Sequence, residues 1–140
     1  MTYSSAHRAV SEEQLAVLAR GPVPTPTSET REFWEATARH ELSMPYCLAC
    51  LRHFFYPRSH CRYCQSDNVE WRHVSGRGTL ESYVINYLPF PEFETKLPQV
   101  VAIVALEEGV NFLSQIIIDS PSSQDLVLGM PLEVVFVARG

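Results

Sequence analysis

Two pairs of cysteines carry the clearest chemical signal in this chain: Cys47-Leu-Ala-Cys50 and, after ten intervening residues, Cys61-Arg-Tyr-Cys64. They account for all four cysteines of the 140 residues, so no thiol remains for other chemistry. Each C-x-x-C is the length of a tight knuckle, and two facing knuckles supply a tetrahedral set of sulfurs. The spacing predicts a zinc ribbon in which Cys47, Cys50, Cys61 and Cys64 hold one structural Zn2+. Such a shell has no open position and cannot activate water, so the metal is a staple and not a catalyst. A redox C-x-x-C normally occurs once, at a helix start beside a β-α-β pattern, and a disulfide framework needs an oxidising compartment. Neither setting is written here. Iron–sulfur signatures use other spacings, which favours zinc. His53, His60 and His73 lie nearby, but four cysteines complete the shell and the histidines read as surface residues.

The metal segment is also the cationic part of the molecule. The net charge of −5 divides into −2 over residues 1–46, +3 over 47–77 and −6 over 78–140. The positive part is arginine alone: Arg52, Arg58, Arg62, Arg72 and Arg77, opposed by Asp67 and Glu70. Residues 43–75 have no sustained hydrophobic period, and their apolar content is too small to fold without metal.

Several elements must position this module. SEEQLAVLAR reads as a short helix with Ser11 as cap and Glu12 and Glu13 in its first turn, ended by Gly21. PVPTPT follows as an extended, polyproline-like connector. A second helix is expected from Ser28 to Leu42, with Trp34, Ala38 and Leu42 at i, i+4 and i+8, broadened by Phe33 and Thr37. Its bland reading is a helix that covers its own core. Its functional reading places Phe33 and Trp34, with the proline arm, against a partner.

From Gly78 the pattern changes to TLESYVINYL, QVVAIVAL, NFLSQIIID and PLEVVFVAR, runs rich in β-branched and aromatic residues that read as strands. Glu107-Glu108-Gly109 predicts a hairpin turn between the second and third runs. Four or five strands in about 60 residues point to a small closed barrel of the OB type, with an open antiparallel sheet or half-sandwich as the alternative. The expected class is therefore mainly β with N-terminal helices: a helical arm with a Pro-rich linker over 1–42, a zinc ribbon over 43–75 and an OB-fold barrel over 76–140. No run approaches a membrane span, and MTYSSAHRAV lacks the form of a secretory signal, so a cytoplasmic location is expected.

The order FWEATARHEL, PYCLACLRHFFYPRSHCRYCQSDNVEW, VSGRGTLESYVI, VVAIVALEEGVNFLSQII and LVLGMPLEVVF resembles the domain of unknown function 35 family over roughly Ser28 to Phe136. The resemblance implies a helical arm, a rubredoxin-like zinc ribbon and an OB barrel without catalytic residues. It implies a non-catalytic accessory subunit, in a hetero-oligomer with a thiolase-like enzyme such as a thiolase or a retro-aldolase of steroid or lipid side-chain degradation. There the subunit would help form or gate a shared acyl-CoA site. A hot-dog enoyl-CoA hydratase is the alternative partner. CoA carries a 3′-phosphate and a pyrophosphate, for which arginine forks are suited, and Arg52, Arg58, Arg62 and Arg77 are the available forks. Phe54, Phe55 and Tyr56 would either present an aromatic surface or pack the ribbon on the barrel.

Two readings from other classes compete. Single-stranded nucleic-acid binding suits an OB barrel beside a zinc ribbon, but a barrel region at −6, with Lys96 and Arg139 as its basic side chains, opposes it. An independent enzyme would need a nucleophile elbow or a phosphate loop, and neither motif occurs; Glu107 and Glu108 are adjacent in a turn and should point apart into solvent.

Overall fold

A computed structural model describes residues 2–5, 10–88, 98–118 and 125–139. Lys96 and the C-terminal end of the NFLSQIIID run lie outside these residues. Two sheets share one hydrophobic core. A three-stranded antiparallel sheet in the order β3-β2-β4 is built from β2 (Ser43–Cys47), β3 (Arg52–His53) and β4 (Val69–His73). A closed five-stranded barrel in the order β1-β7-β6-β5-β8 uses β5 (Arg77–Asn86), β6 (Gln99–Leu106), β7 (Asn111–Ile116), β8 (Pro131–Val135) and the N-terminal β1 (Thr2–Ser5).

The alternation that predicted strands also orients them. In β6, Val100, Ala102, Val104 and Leu106 are buried, while the intervening side chains face outward, as the two-residue period of a strand requires. β5 and β6 pair antiparallel with a register shift between Leu80 and Ser82, a bulge that bends the long strand toward closure. β6 and β7 form the expected hairpin through Glu107-Glu108-Gly109, where Gly109 adopts φ +85°.

The N-terminal region departs from expectation. The barrel is not confined to 76–140: β1 supplies its fifth strand, parallel to β7 and antiparallel to β8. A four-residue strand beside a polar, Ala-containing stretch carries too little periodicity to be read locally. Helix α1 (Glu12–Leu18) has the expected Ser11 cap, as a capping box with Gln14. Helix α2 spans only Arg31–Ala38, shorter than the 28–42 expected. Thr30 serves as its N-cap, and the chain leaves the helix at His40 in the left-handed region (φ 60°), with the Glu41 N–H donating to the Ala36 carbonyl. Leu42 then lies beyond the helix but is still buried in the common core.

The ribbon and barrel are joined by packing and by one clamp. Leu42, Met44 and Val74 from the ribbon side belong to the same buried cluster as the barrel's Leu80, Val104 and Leu132. At the junction, the Ser75 N–H donates to Glu108 Oε1 at 2.6 Å and the Ser75 hydroxyl to Glu107 Oε2 at 3.2 Å. Arg77 Nε lies 3.3 Å from Glu107 Oε1. The two turn carboxylates therefore reach back to the interdomain segment, contrary to the expectation that they point apart into solvent.

Two glycines make this junction possible. A Cβ on Gly78 would sit 2.5 Å from the Ala105 carbonyl oxygen. One on Gly76, at φ +75°, would sit 2.3 Å from Val134 Cγ1. Gly109 has a similar φ but open space around it, so Gly109→Ala should cost only the left-handed penalty of about 1–2 kcal/mol. Gly76→Ala should carry that cost plus roughly 1–3 kcal/mol of overpacking. Thermal or urea denaturation compares them directly, and equal losses would contradict the packing at Gly76.

Candidate functional site

The two knuckles have the same local construction. In each, the residue after the second cysteine turns left-handed, Leu51 at φ 58° and Gln65 at φ 63°. Its N–H donates to the carbonyl of the first cysteine, Leu51 to Cys47 at 2.9 Å and Gln65 to Cys61 at 3.0 Å. Backbone N–H groups also point at the sulfurs, Cys50 N at 3.5 Å from Cys47 Sγ and Tyr63 N at 3.3 Å from Cys61 Sγ. Burial pushes the Cys50 thiol up to about 12, whereas at Cys61 burial is outweighed by N–H donation from Cys64 and Tyr63, which brings it down to about 7.

The four Sγ atoms lie within 4.8 Å of one another, with Cys47–Cys64 and Cys50–Cys61 each at 3.6 Å. A sulfur tetrahedron at a Zn–S distance of about 2.3 Å has edges of about 3.8 Å, so the spacing fits a single zinc ion. It does not fit disulfides, whose sulfurs stand about 2 Å apart, and all four cysteines are free. The donor set and its closed geometry suit a structural metal. Around it the ribbon's own core is small: Cys47, Phe54 and Cys61, with Cys50 and Val69 packed against them. The metal therefore replaces the hydrophobic core that this segment lacks.

The candidate binding residues separate into two groups. Arg77 is engaged with Glu107, as Arg72 is with Glu70 and Arg39 with Glu41. Arg52, Arg58 and Arg62, by contrast, are exposed and form no ion pair among the described residues. Arg52 and Arg62 lie over the ring of the half-exposed Tyr63, at 5.0 and 5.5 Å from its centroid, and Arg62 Nη1 also donates to the Phe55 carbonyl. Two guanidiniums are thus held about one aromatic ring, beside the knuckles.

Phe33 and Trp34 also separate. Phe33 is 4% exposed and packs against Trp34, Phe55 and Phe112, so its expected role as a partner contact is corrected: it is a core residue. A short helix can offer only one face, and Phe33 with Ala36 is the face turned inward. Trp34 is half-buried and lines a groove of about 650 Å³ between α2, the proline arm, Phe55–Tyr56 and β7. Phe54 is fully buried in the ribbon and Phe55 packs on the barrel, whereas Tyr56 is exposed at the groove. The sequence reading missed Phe112 and Phe136 as groove residues; their alternating positions marked them only as strand. It also missed Arg139, whose Nε donates to the Leu18 carbonyl and whose Nη1 donates to that of Pro22, fastening the arm beside the groove.

The purified protein should contain one zinc per chain by elemental analysis. Cys61→Ser should abolish zinc retention and unfold the 43–75 segment, with loss of near-ultraviolet dichroism, because metal binding supplies roughly 10 kcal/mol or more to such modules. Retention of stoichiometric zinc and native spectra by that variant would contradict the tetrathiolate assignment.

Comparison with known proteins adds the family. Residues 34–70 match the model of the ChsH2 rubredoxin-like zinc ribbon domain, and residues 71–137 that of the ChsH2 C-terminal OB-fold domain. A DUF35 domain-containing scaffold protein of Methanothermobacter thermautotrophicus is 36% identical over 111 residues, which cover 79% of this chain and 82% of that protein. The 3-oxo-4,17-pregnadiene-20-carboxyl-CoA hydratase alpha subunit of Mycobacterium tuberculosis is 32% identical over 81% of this chain, but the match spans only 35% of that subunit. Among solved structures, the Ltp2-ChsH2(DUF35) aldolase superposes with TM-score 0.65 at 26% identity, covering 78% of this chain and 84% of that one. On the two domain matches and the archaeal relative together, the chain belongs to the DUF35 family, with its zinc ribbon and OB-fold in the family's order.

Proposed function

We propose that this protein is a non-catalytic, zinc-containing accessory subunit that docks on a thiolase-like acyl-CoA enzyme and helps form its acyl-CoA site. The observation that carries this reading is the unpaired positive charge of the ribbon: Arg52 and Arg62 about the Tyr63 ring, with exposed Arg58 in the same segment, none with an ion-pair partner among the described residues, on a platform fastened by four cysteines. A preorganised platform lowers the ordering cost of binding an anion, and guanidinium forks match phosphate oxygens. The bland account is that Arg52 and Arg62 offset the net negative charge of a zinc tetrathiolate. That role explains the two beside the knuckle cysteines but leaves Arg58 without one.

The rest of the surface is consistent with an accessory role. The groove walled by Trp34, Tyr56, Phe112 and Phe136 offers an apolar lining to an acyl chain or to a partner segment. Exposed Leu48 and Leu51 on the first knuckle, and Val84, Val101 and Leu113 on the outer face of β5, β6 and β7, are apolar area of the kind that interfaces cover. The Ltp2-ChsH2(DUF35) aldolase, whose name joins a DUF35 component to a second protein, supports an aldolase as the partner. The Mycobacterium tuberculosis relative, a hydratase subunit by name, supports a hydratase as the second reading. No helix among the described residues is long and apolar enough to cross a membrane.

Co-expression with a candidate acyl-CoA aldolase or hydratase should yield one complex by gel filtration, and retro-aldol or hydration activity of that complex decides between the two partners. Within the complex, the double variant Arg52→Ala/Arg62→Ala should weaken acyl-CoA binding by about tenfold to a hundredfold, the effect of losing one or two charge-assisted contacts. Arg72→Ala, which removes a residue already paired with Glu70, should change it less than threefold. Separate elution together with unchanged partner activity would sink the accessory role; equal effects of the two variants would remove the ribbon face from the acyl-CoA site.

A further inference from the structure

Strand β1 differs in kind from the other barrel strands. It comes from residues 2–5, outside the 34–137 span that the two family domains match. Among the described residues it is also the strand that links β7 and β8, which are both its neighbours and not each other's. Without it, the four strands inside the matched residues, β5 to β8, leave a slot one strand wide between β7 and β8. The pairing across that slot is parallel on one side, with Tyr3 opposite Ile116 and the Ile117 N–H donating to the Tyr3 carbonyl at 2.7 Å. It is antiparallel on the other, from Thr2 opposite Val135 to Ser5 opposite Leu132.

The side-chain chemistry is that of an anchor. Tyr3 is fully buried and meets Phe112 at 6.1 Å, yet its hydroxyl has no hydrogen-bond partner among the described residues. Burial, and then the charge of Glu108, holds that phenol in its protonated form. One buried ring with an unsatisfied polar tip, on a strand of four residues, gives less net stabilisation than a strand of the continuous barrel. Extended peptides add to sheet edges in this manner: the main-chain ladder gives affinity and one side-chain pocket gives selectivity.

We propose that the β7–β8 slot is a strand-accepting site for a short extended peptide with an aromatic anchor, and that its resident occupant is this chain's own Thr2–Ser5, held in cis as a separable ligand. The segment is a tethered peptide and not an integral strand. Because Phe112 both receives Tyr3 and lines the groove beside α2, occupancy of the slot sets one wall of that groove.

The test uses the full chain with a specific protease site placed in the 6–9 segment. After cleavage, a fluorescent peptide of sequence MTYSSAHRA should exchange into the nicked, zinc-containing protein in a saturable manner, measured by anisotropy. The Tyr3→Ala peptide should bind at least tenfold more weakly, and the uncut protein should exclude both. In parallel, the uncut Tyr3→Ala chain should keep its zinc and its ribbon amide protection while amides of β7 and β8 exchange at least tenfold faster. A folded nicked protein that loses its segment but takes up no peptide would overturn the proposal. So would global unfolding of the Tyr3→Ala chain, which would make β1 integral, or a dimer in which the segment fills the slot of a second copy, which would remove the occupancy in cis.

Discussion

The ring of Phe112 is the point on which the arrangement of this molecule depends. It stands on β7 and is met by Phe55 from the ribbon at 4.7 Å, by Tyr3 from β1 at 6.1 Å and by Phe33 from α2 at 6.2 Å. Three segments far apart in sequence therefore bury aromatic area against one side chain, at distances where edge-to-face pairs add to simple burial. Truncating Phe112 itself, which would remove the shared partner of all three, should cost about 3–5 kcal/mol, a large part of the stability of a domain this size. The zinc ribbon is consequently not a free appendage. Its metal holds it together, but Phe55 and the buried Leu42, Met44 and Val74 decide which way it faces.

That orientation has an electrostatic consequence. Near the junction, arginines are neutralised: Arg77 by Glu107 and Arg72 by Glu70. Away from it, on and around the knuckles, Arg52, Arg58 and Arg62 carry charge that no carboxylate among the described residues meets. Exposed ion pairs contribute little stability, so the pairing at the junction matters less as glue than as a sorting of charge. It leaves the ribbon of an otherwise acidic protein with positive charge on Arg52 and Arg62 about the Tyr63 ring and on exposed Arg58, a distribution that raises encounter rates with anionic ligands or acidic surfaces.

The groove and the knuckle face share an origin. The chain runs from Phe54, in the ribbon's small core, through Phe55, in the main core, to exposed Tyr56 at the groove, so three consecutive aromatics serve three environments. Arg62, which donates to the Phe55 carbonyl, ties the second knuckle to this same passage.

Cysteine spacing determined the metal centre by itself, because a C-x-x-C knuckle closes through local backbone geometry whatever surrounds it. Strands β5 to β8 and the Glu107-Glu108-Gly109 turn were equally legible, since two-residue alternation and a glycine for positive φ are local signals. Only the tertiary structure decided that Thr2–Ser5 completes the barrel, that α2 stops at a left-handed His40 where no glycine marks the end, and that Phe33 faces inward while Trp34 lines a groove. It also decided which arginines keep their charge free. In each case the deciding partner lies tens of residues away, and the contact has a free energy only once the fold has brought the two segments together.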